Sequence, residues 1–186
     1  VRYKNDPKNP NSISSNDVYF TCQDSQGRIW VGLLGGGLNL ISEANGTIAF
    51  KHKYNGLKQY PLYGLYMEVR TMTEDNDGRI WVGTMDGLMS FDGHFTNPEE
   101  IQFETYRQVS ERSNVADNDI YVLYKDSESQ IWVSVFGGGL NKLVHYDKER
   151  RVPVFKSYGI REGMNNDVVK SIVEDKDGNL WLDRKS

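Results

Sequence analysis

Two stretches of this 186-residue chain open in the manner of calcium-binding loops, Asp75-Asn76-Asp77-Gly78 and Asp175-Lys176-Asp177-Gly178. A calcium loop needs further oxygen ligands, including a late bidentate acid, and Arg79-Ile80-Trp81 supplies none. Sister stretches at Asp24 and Asp126 carry Gln26 and Glu128 at the second acidic position, so the shared element reads as a turn. The runs Gly35–Gly37 and Gly137–Gly139 raise the possibility of a phosphate cradle. Such a cradle requires a helix N-terminus after the glycines, and here a strand pattern follows. A tight hairpin against a neighbouring element is the better reading. His52, His94 and His145 share no motif, and His52 alternates with Lys51 and Lys53 as on a solvated strand face. There is no nucleophile elbow and no His/Cys cluster. Cys22, the single cysteine, alternates with Val18 and Phe20 and reads as a packing residue. No catalytic residue, metal or cofactor is expected.

These stretches are copies of one another. Asp24-Ser25-Gln26-Gly27-Arg28-Ile29-Trp30-Val31-Gly32 returns around Asp75, Gly78 and Trp81, again around Asp126 and Trp132, and a fourth time around Asp175, Gly178 and Trp181. The tryptophans stand 51, 51 and 49 residues apart, always six residues after the Asp. A fixed period of this size marks one supersecondary unit used repeatedly. The third copy departs at Ser129 and Ser134, where glycines stand elsewhere. The second has Met85-Asp86-Gly87 for the triple glycine, and the fourth runs into Asp183-Arg184-Lys185-Ser186.

The elements that must carry the motifs are strands. Val18 to Gln23 is rich in β-branched and aromatic residues, Asp24 to Gly27 is a turn, and Arg28 to Leu34 is apolar on both faces. A third strand over Leu38 to Ser42 and the Asn45-Gly46 hairpin signal complete a four-stranded antiparallel unit ending near Tyr54. Complete units close on Phe50 with Tyr54, Phe103 with Tyr106, and Phe155 with Tyr158. Repeated small sheets that need cover on both faces are what β-propeller blades require. The expected fold is all-β: a single partial β-propeller domain over 1–186, with blades at about 16–54, 68–106 and 119–158 and a truncated one at about 167–186. That is a fragment of about three and a half blades, from a ring of about seven. Its open end faces would meet the remaining blades of a parent chain or a second copy.

Net charge is −4 with pI near 5.4, and the densest basic spot, Lys148 to Arg151, is interrupted by Glu149. A nucleic-acid groove needs a concentrated basic face, so that partner class is excluded. No apolar run has the length of a membrane span.

The pattern Asp-x-x-Gly-x-Ile-Trp-Val-Gly, then Gly-Gly-Gly-Leu-Asn, then Phe-x-x-Tyr, resembles the two-component regulator propeller repeat. Tyr3 to Ser12 and Tyr158 to Asp167 resemble that family's connectors. The resemblance implies the periplasmic sensor region of a hybrid histidine kinase anchored in the inner membrane, which detects oligosaccharides for a phosphorelay. It implies signal transduction without catalysis. Two alternatives stay open: a propeller lyase or hydrolase with a channel metal, and a purely structural interaction module.

Connections between blades share a face with the second-to-third strand turns. Loops held by a rigid scaffold carry function disproportionately. The connection after the first unit holds Tyr60, Tyr63 and Tyr66, and aromatic rings suit the C–H faces of sugars. Five residues before each repeat Asp stand Tyr19, Arg70, Tyr121 and Lys170. These seven residues are the expected ligand contacts, either as a ring at the channel mouth or, for the tyrosines, as packing over the blade edge.

Overall fold

Each Asp–Trp stretch closes a β-turn between the first two strands of a small antiparallel sheet. The structure, a computed structural model, describes residues 1–107 and 118–184. The first sheet is β1 (Val18–Gln23), β2 (Ile29–Leu33), β3 (Gly37–Ala44) and β4 (Thr47–Lys51), paired in that order. The second is β5 (Val69–Glu74), β6 (Arg79–Thr84), β7 (Gly87–Asp92) and β8 (Glu104–Tyr106). The third is β9 (Ile120–Lys125), β10 (Ile131–Val135), β11 (Gly139–Asp147) and β12 (Val152–Tyr158). The last has two described strands, β13 (Val169–Glu174) and β14 (Leu180–Arg184). The first strands touch in succession, β1 with β5, β5 with β9 and β9 with β13. They are therefore the inner strands of blades that fan out from a common axis.

The invariant six-residue step from Asp to Trp has a direct cause. In each copy the Asp Oδ2 accepts the indole N–H, at 2.8 Å for Trp30, 2.8 Å for Trp81, 2.7 Å for Trp132 and 2.8 Å for Trp181. Oδ1 accepts the backbone N–H four residues on, at 2.9 Å from Arg28 and 2.7 Å from Gln130. Both carboxylate oxygens are thus committed to the hairpin. Among the described residues no group of acids, histidines and cysteines is arranged to hold a metal. The turn bends through a left-handed residue, Gly27 at φ +78°, Gly78 at +78° and Gly178 at +82°. Ser129 adopts the same conformation at +65°, against the preference of an L side chain.

Cover for each Trp comes from the following blade. Trp30 meets Phe91 at 5.3 Å and Phe95 at 6.1 Å; Trp81 meets Tyr146 at 5.9 Å. Both indoles are fully buried. Trp132 is only partly buried, because the fourth sheet has no described third strand to lay over it. Trp181 is 63% exposed. The burial of each indole follows how much of the next blade stands beside it.

Three details of the sequence are resolved by the seams between blades. Ser134, where a glycine is usual, donates its hydroxyl to the Val169 carbonyl of the fourth blade. Glu74 clamps Ser25 of the preceding turn through its backbone N–H and hydroxyl, both 2.6 Å, and Glu174 takes Ser127 in the same way. His52 is buried rather than solvated, packed where the connector crosses the first blade. There Phe50 N–H donates to the Asn11 carbonyl and Asn55 Nδ2 to that of Pro10. Burial holds the His52 pKa below its usual value, while contacts with the Ser12 and Pro10 backbone oppose the shift.

Candidate functional site

Every inner strand carries a β-bulge at one position. In β1 the register steps from Val18 to Phe20, in β5 from Val69 to Thr71, in β9 from Ile120 to Val122, and in β13 from Val169 to Ser171. The residues left out of the ladder are Tyr19, Arg70, Tyr121 and Lys170. A bulge re-aims its side chain and ends regular pairing, and bulges are common beside active sites and barrel rims. All four lie at the end of the inner strand nearest the glycine turns and the interblade connections. There Gly37 N–H donates to the Met67 carbonyl and Gly139 N–H to that of Asp167.

The four are not equivalent in exposure. Tyr19 and Lys170 are exposed. Arg70 is largely buried: its guanidinium pairs with Asp119 at 3.0 Å and lies 4.5 Å from the Tyr121 ring centroid. Tyr121 in turn packs on Phe136 at 5.8 Å. Arg70 and Tyr121 therefore form a locked pair across the seam between blades two and three.

The aromatic connection divides similarly. Tyr60 and Tyr66 are core residues, 4% and 1% exposed, and the Tyr60 hydroxyl donates to the Tyr66 carbonyl at 2.7 Å. Burial drives the Tyr60 pKa upward, so the phenol stays neutral. These two rings pack the loop onto the blade edge and are unavailable to a ligand. Tyr63 is exposed and its hydroxyl lies 2.9 Å from Thr105 Oγ1. Most of the corresponding connection after the second blade, 108–117, lies outside the described residues, as do Lys185 and Ser186. Cys22 is half-buried, and burial followed by the Asp24 and Glu74 charges pushes its thiol up to about 11. It is no thiolate nucleophile at neutral pH.

Three stretches of the chain, 12–35, 64–86 and 163–183, match the family model of the two component regulator propeller. Those three stretches are two component regulator propeller repeats. The third copy, with Ser129 and Ser134 in place of glycines, lies outside the matched stretches. Three solved structures share the fold. The extracellular domain of the one component system BT4673 from B. thetaiotaomicron is 23% identical, with TM-score 0.64, over 90% of this chain and 22% of that one. The extracellular domain of the hybrid two component system BT3049 from the same organism is 17% identical, with TM-score 0.59, over 99% of this chain and 28% of that one. PorZ, a surface component of the type-IX secretion system of Porphyromonas gingivalis, is 16% identical, with TM-score 0.68, over 98% and 27%. The chain thus spans about a quarter of the length of these relatives, and at such identities the likeness speaks for the fold. No curated protein matches the chain.

The second blade departs from the repeat in one feature. In the second blade the third and fourth strands are joined by residues 93–103, where the first blade uses the Asn45-Gly46 turn. This insertion, with a 3₁₀ turn at Pro98–Glu100, puts Phe95 on Trp30, and Phe103 on Tyr60 at 5.1 Å. Its outer side walls a cleft of about 640 Å³ against the β11–β12 hairpin of the third blade. At its base Glu104 accepts from Arg79 at 2.8 Å, Tyr106 at 2.7 Å, Tyr146 and Arg151. Burial raises the Glu104 pKa, but the tyrosine hydrogen bonds and the arginine charges outweigh it and leave the carboxyl below its usual range. The distance between Asp92 and Glu104 in the sequence was the available signal. Its packing partners, in two other blades, were not signalled.

Proposed function

We propose that the chain is part of an extracellular, periplasmic sensor propeller that binds an oligosaccharide at the channel mouth and passes the event to a histidine kinase elsewhere in its parent protein. The observation that carries this reading is the shared bulge at Tyr19, Arg70, Tyr121 and Lys170. A device kept in four copies, with three different side chains among them, is what a contact ring built on a repeat needs. Tyr19 and Lys170, both exposed, are the direct contacts, with Tyr63 at the rim. Arg70 and Tyr121 act as a fixed wall, since each is held by neighbours. The segment itself does no chemistry: it binds. The apolar end face around Trp181 is covered by further blades of the parent chain, or by a second copy.

The test is calorimetric titration of neutral and acidic oligosaccharides into the sensor region, with Tyr19→Ala and Lys170→Ala as variants. Loss of binding of about tenfold or more, with an unchanged melting curve, supports the reading. Wild-type affinity in both variants, or turnover of the glycan, overturns it.

A further inference from the structure

The cleft between blades two and three exists because the two seams are filled differently. At the first seam Arg28 lies 3.9 Å from the Phe95 centroid and its Nη2 donates to the Gly93 carbonyl at 2.5 Å, so the insertion closes the gap. The third blade brings only the turn between β11 and β12 to the second seam, and a space of about 640 Å³ remains. Small-molecule sites occupy a range of roughly 300–1,000 Å³.

Of charged groups, the third blade lines this space with cations alone, whereas the second brings acids together with Arg79, which Glu104 already holds. Asp77, Asp92 and Glu100 enter from the second blade, Lys148 and Arg151 from the third. Lys148 pairs with Asp77 at 3.1 Å through two exposed side chains, an interaction of little net strength. Among the described residues none pairs with the Glu100 side chain. The base beneath them is rigid, since Glu104 ties Arg79, Tyr106, Tyr146 and Arg151 together. Aromatic faces are already in use: Arg79 lies 4.0 Å from the Tyr146 centroid, as Arg28 does on Phe95. The cleft offers charge of both signs and little ring face on which a sugar could stack.

We propose that this cleft binds a small zwitterion, a free α-amino acid or a short peptide, independently of the saccharide ring at the channel mouth. Its ammonium group pairs with Glu100 and Asp92. Its carboxylate takes Lys148 and the exposed edge of Arg151, which donate charge-assisted hydrogen bonds. Each end alone meets one sign of charge and leaves the other unserved.

The test is an amide-resolved NMR titration of the full chain with dialanine, alongside free alanine, acetyl-dialanine, dialaninamide and maltotriose. Shifts centred on residues of the insertion and on Lys148 are expected for a zwitterion, with each end-blocked form weaker by about tenfold. Whether alanine or dialanine binds more tightly identifies the source. Glu100→Gln and Lys148→Gln, both at exposed positions, should each weaken binding similarly with melting unchanged. Absence of shifts at the cleft, equal affinity for a blocked form, or stronger binding of maltotriose there would overturn the proposal.

Discussion

Replacing Asp24 with alanine tests the account of the repeat at its tightest point. The carboxylate accepts the Trp30 indole N–H at 2.8 Å, the Arg28 backbone N–H at 2.9 Å, the Gln26 N–H at 3.1 Å and Arg28 Nε at 2.7 Å. Trp30 is fully buried, so no water replaces the lost acceptor. A buried donor left unsatisfied costs about 1–3 kcal/mol, and hydrogen bonds to a charged group contribute about 1.5–3 kcal/mol. Arg28 keeps the Gly93 carbonyl and Phe95, and the turn amides can reach water, so these losses add little. The expected cost is about 3–4 kcal/mol, read as a fall in the urea midpoint at constant slope. Asp175→Ala removes the same motif in the fourth copy, where Trp181 is exposed, and should shift the midpoint far less. Equal effects at the two sites, or a loss below about 1 kcal/mol for Asp24→Ala, would refute the reasoning.

The other expectations follow the same contacts. Trp81→Ala should cost about 3–5 kcal/mol by denaturant melts, and Trp181→Ala much less, because only the former empties a filled seam. Ser129→Gly should raise stability by up to about 1 kcal/mol, since the residue sits at φ +65°; unchanged melting would count against strain there. His52 binds its proton less readily folded than unfolded, so stability from this site is complete above the unfolded pKa and falls as pH drops from about 7 toward 5. His52→Gln should flatten that slope in thermal melts across the window. Asp175, held at about 2 by the Trp181 and Asn179 hydrogen bonds, acts in a lower window: its contribution is present above the unfolded value and lost as pH falls toward 2. Asp175→Asn should remove that acid-side loss.

Much of this architecture was legible in the sequence because it is local. The Asp-to-Trp step, the glycine at the turn and the strand pairs are short-range consequences of one hairpin, so the repeat declared them. The positions of Tyr19, Arg70, Tyr121 and Lys170 were also visible as a variable column. Their status as bulges was not, since a register shift depends on both strands of the pair. Long-range pairing is where reading failed. His52 alternates with lysines as an exposed residue would, yet the connector runs over it. Tyr60 and Tyr66 are of ligand-binding type, yet the Gly37 turn and Phe103 make a pocket for Tyr60, and both rings are buried. Arg70 had no visible partner until Asp119 was brought beside it from the next blade. The Ser25–Glu74 clamp recurs as Ser127–Glu174, and comparison of alternate copies would have found it.

Hydrogen exchange at the four indole N–H groups, followed by NMR on the monomeric 186-residue chain, tests the blade-stacking account most directly. Each indole donates to the same Asp oxygen at nearly the same distance, so the hydrogen bond alone predicts equal protection. Cover by the next blade predicts a gradient instead, with Trp30 and Trp81 slowest, Trp132 intermediate and Trp181 fastest. Four similar rates, or Trp181 protected as well as Trp30, would contradict it.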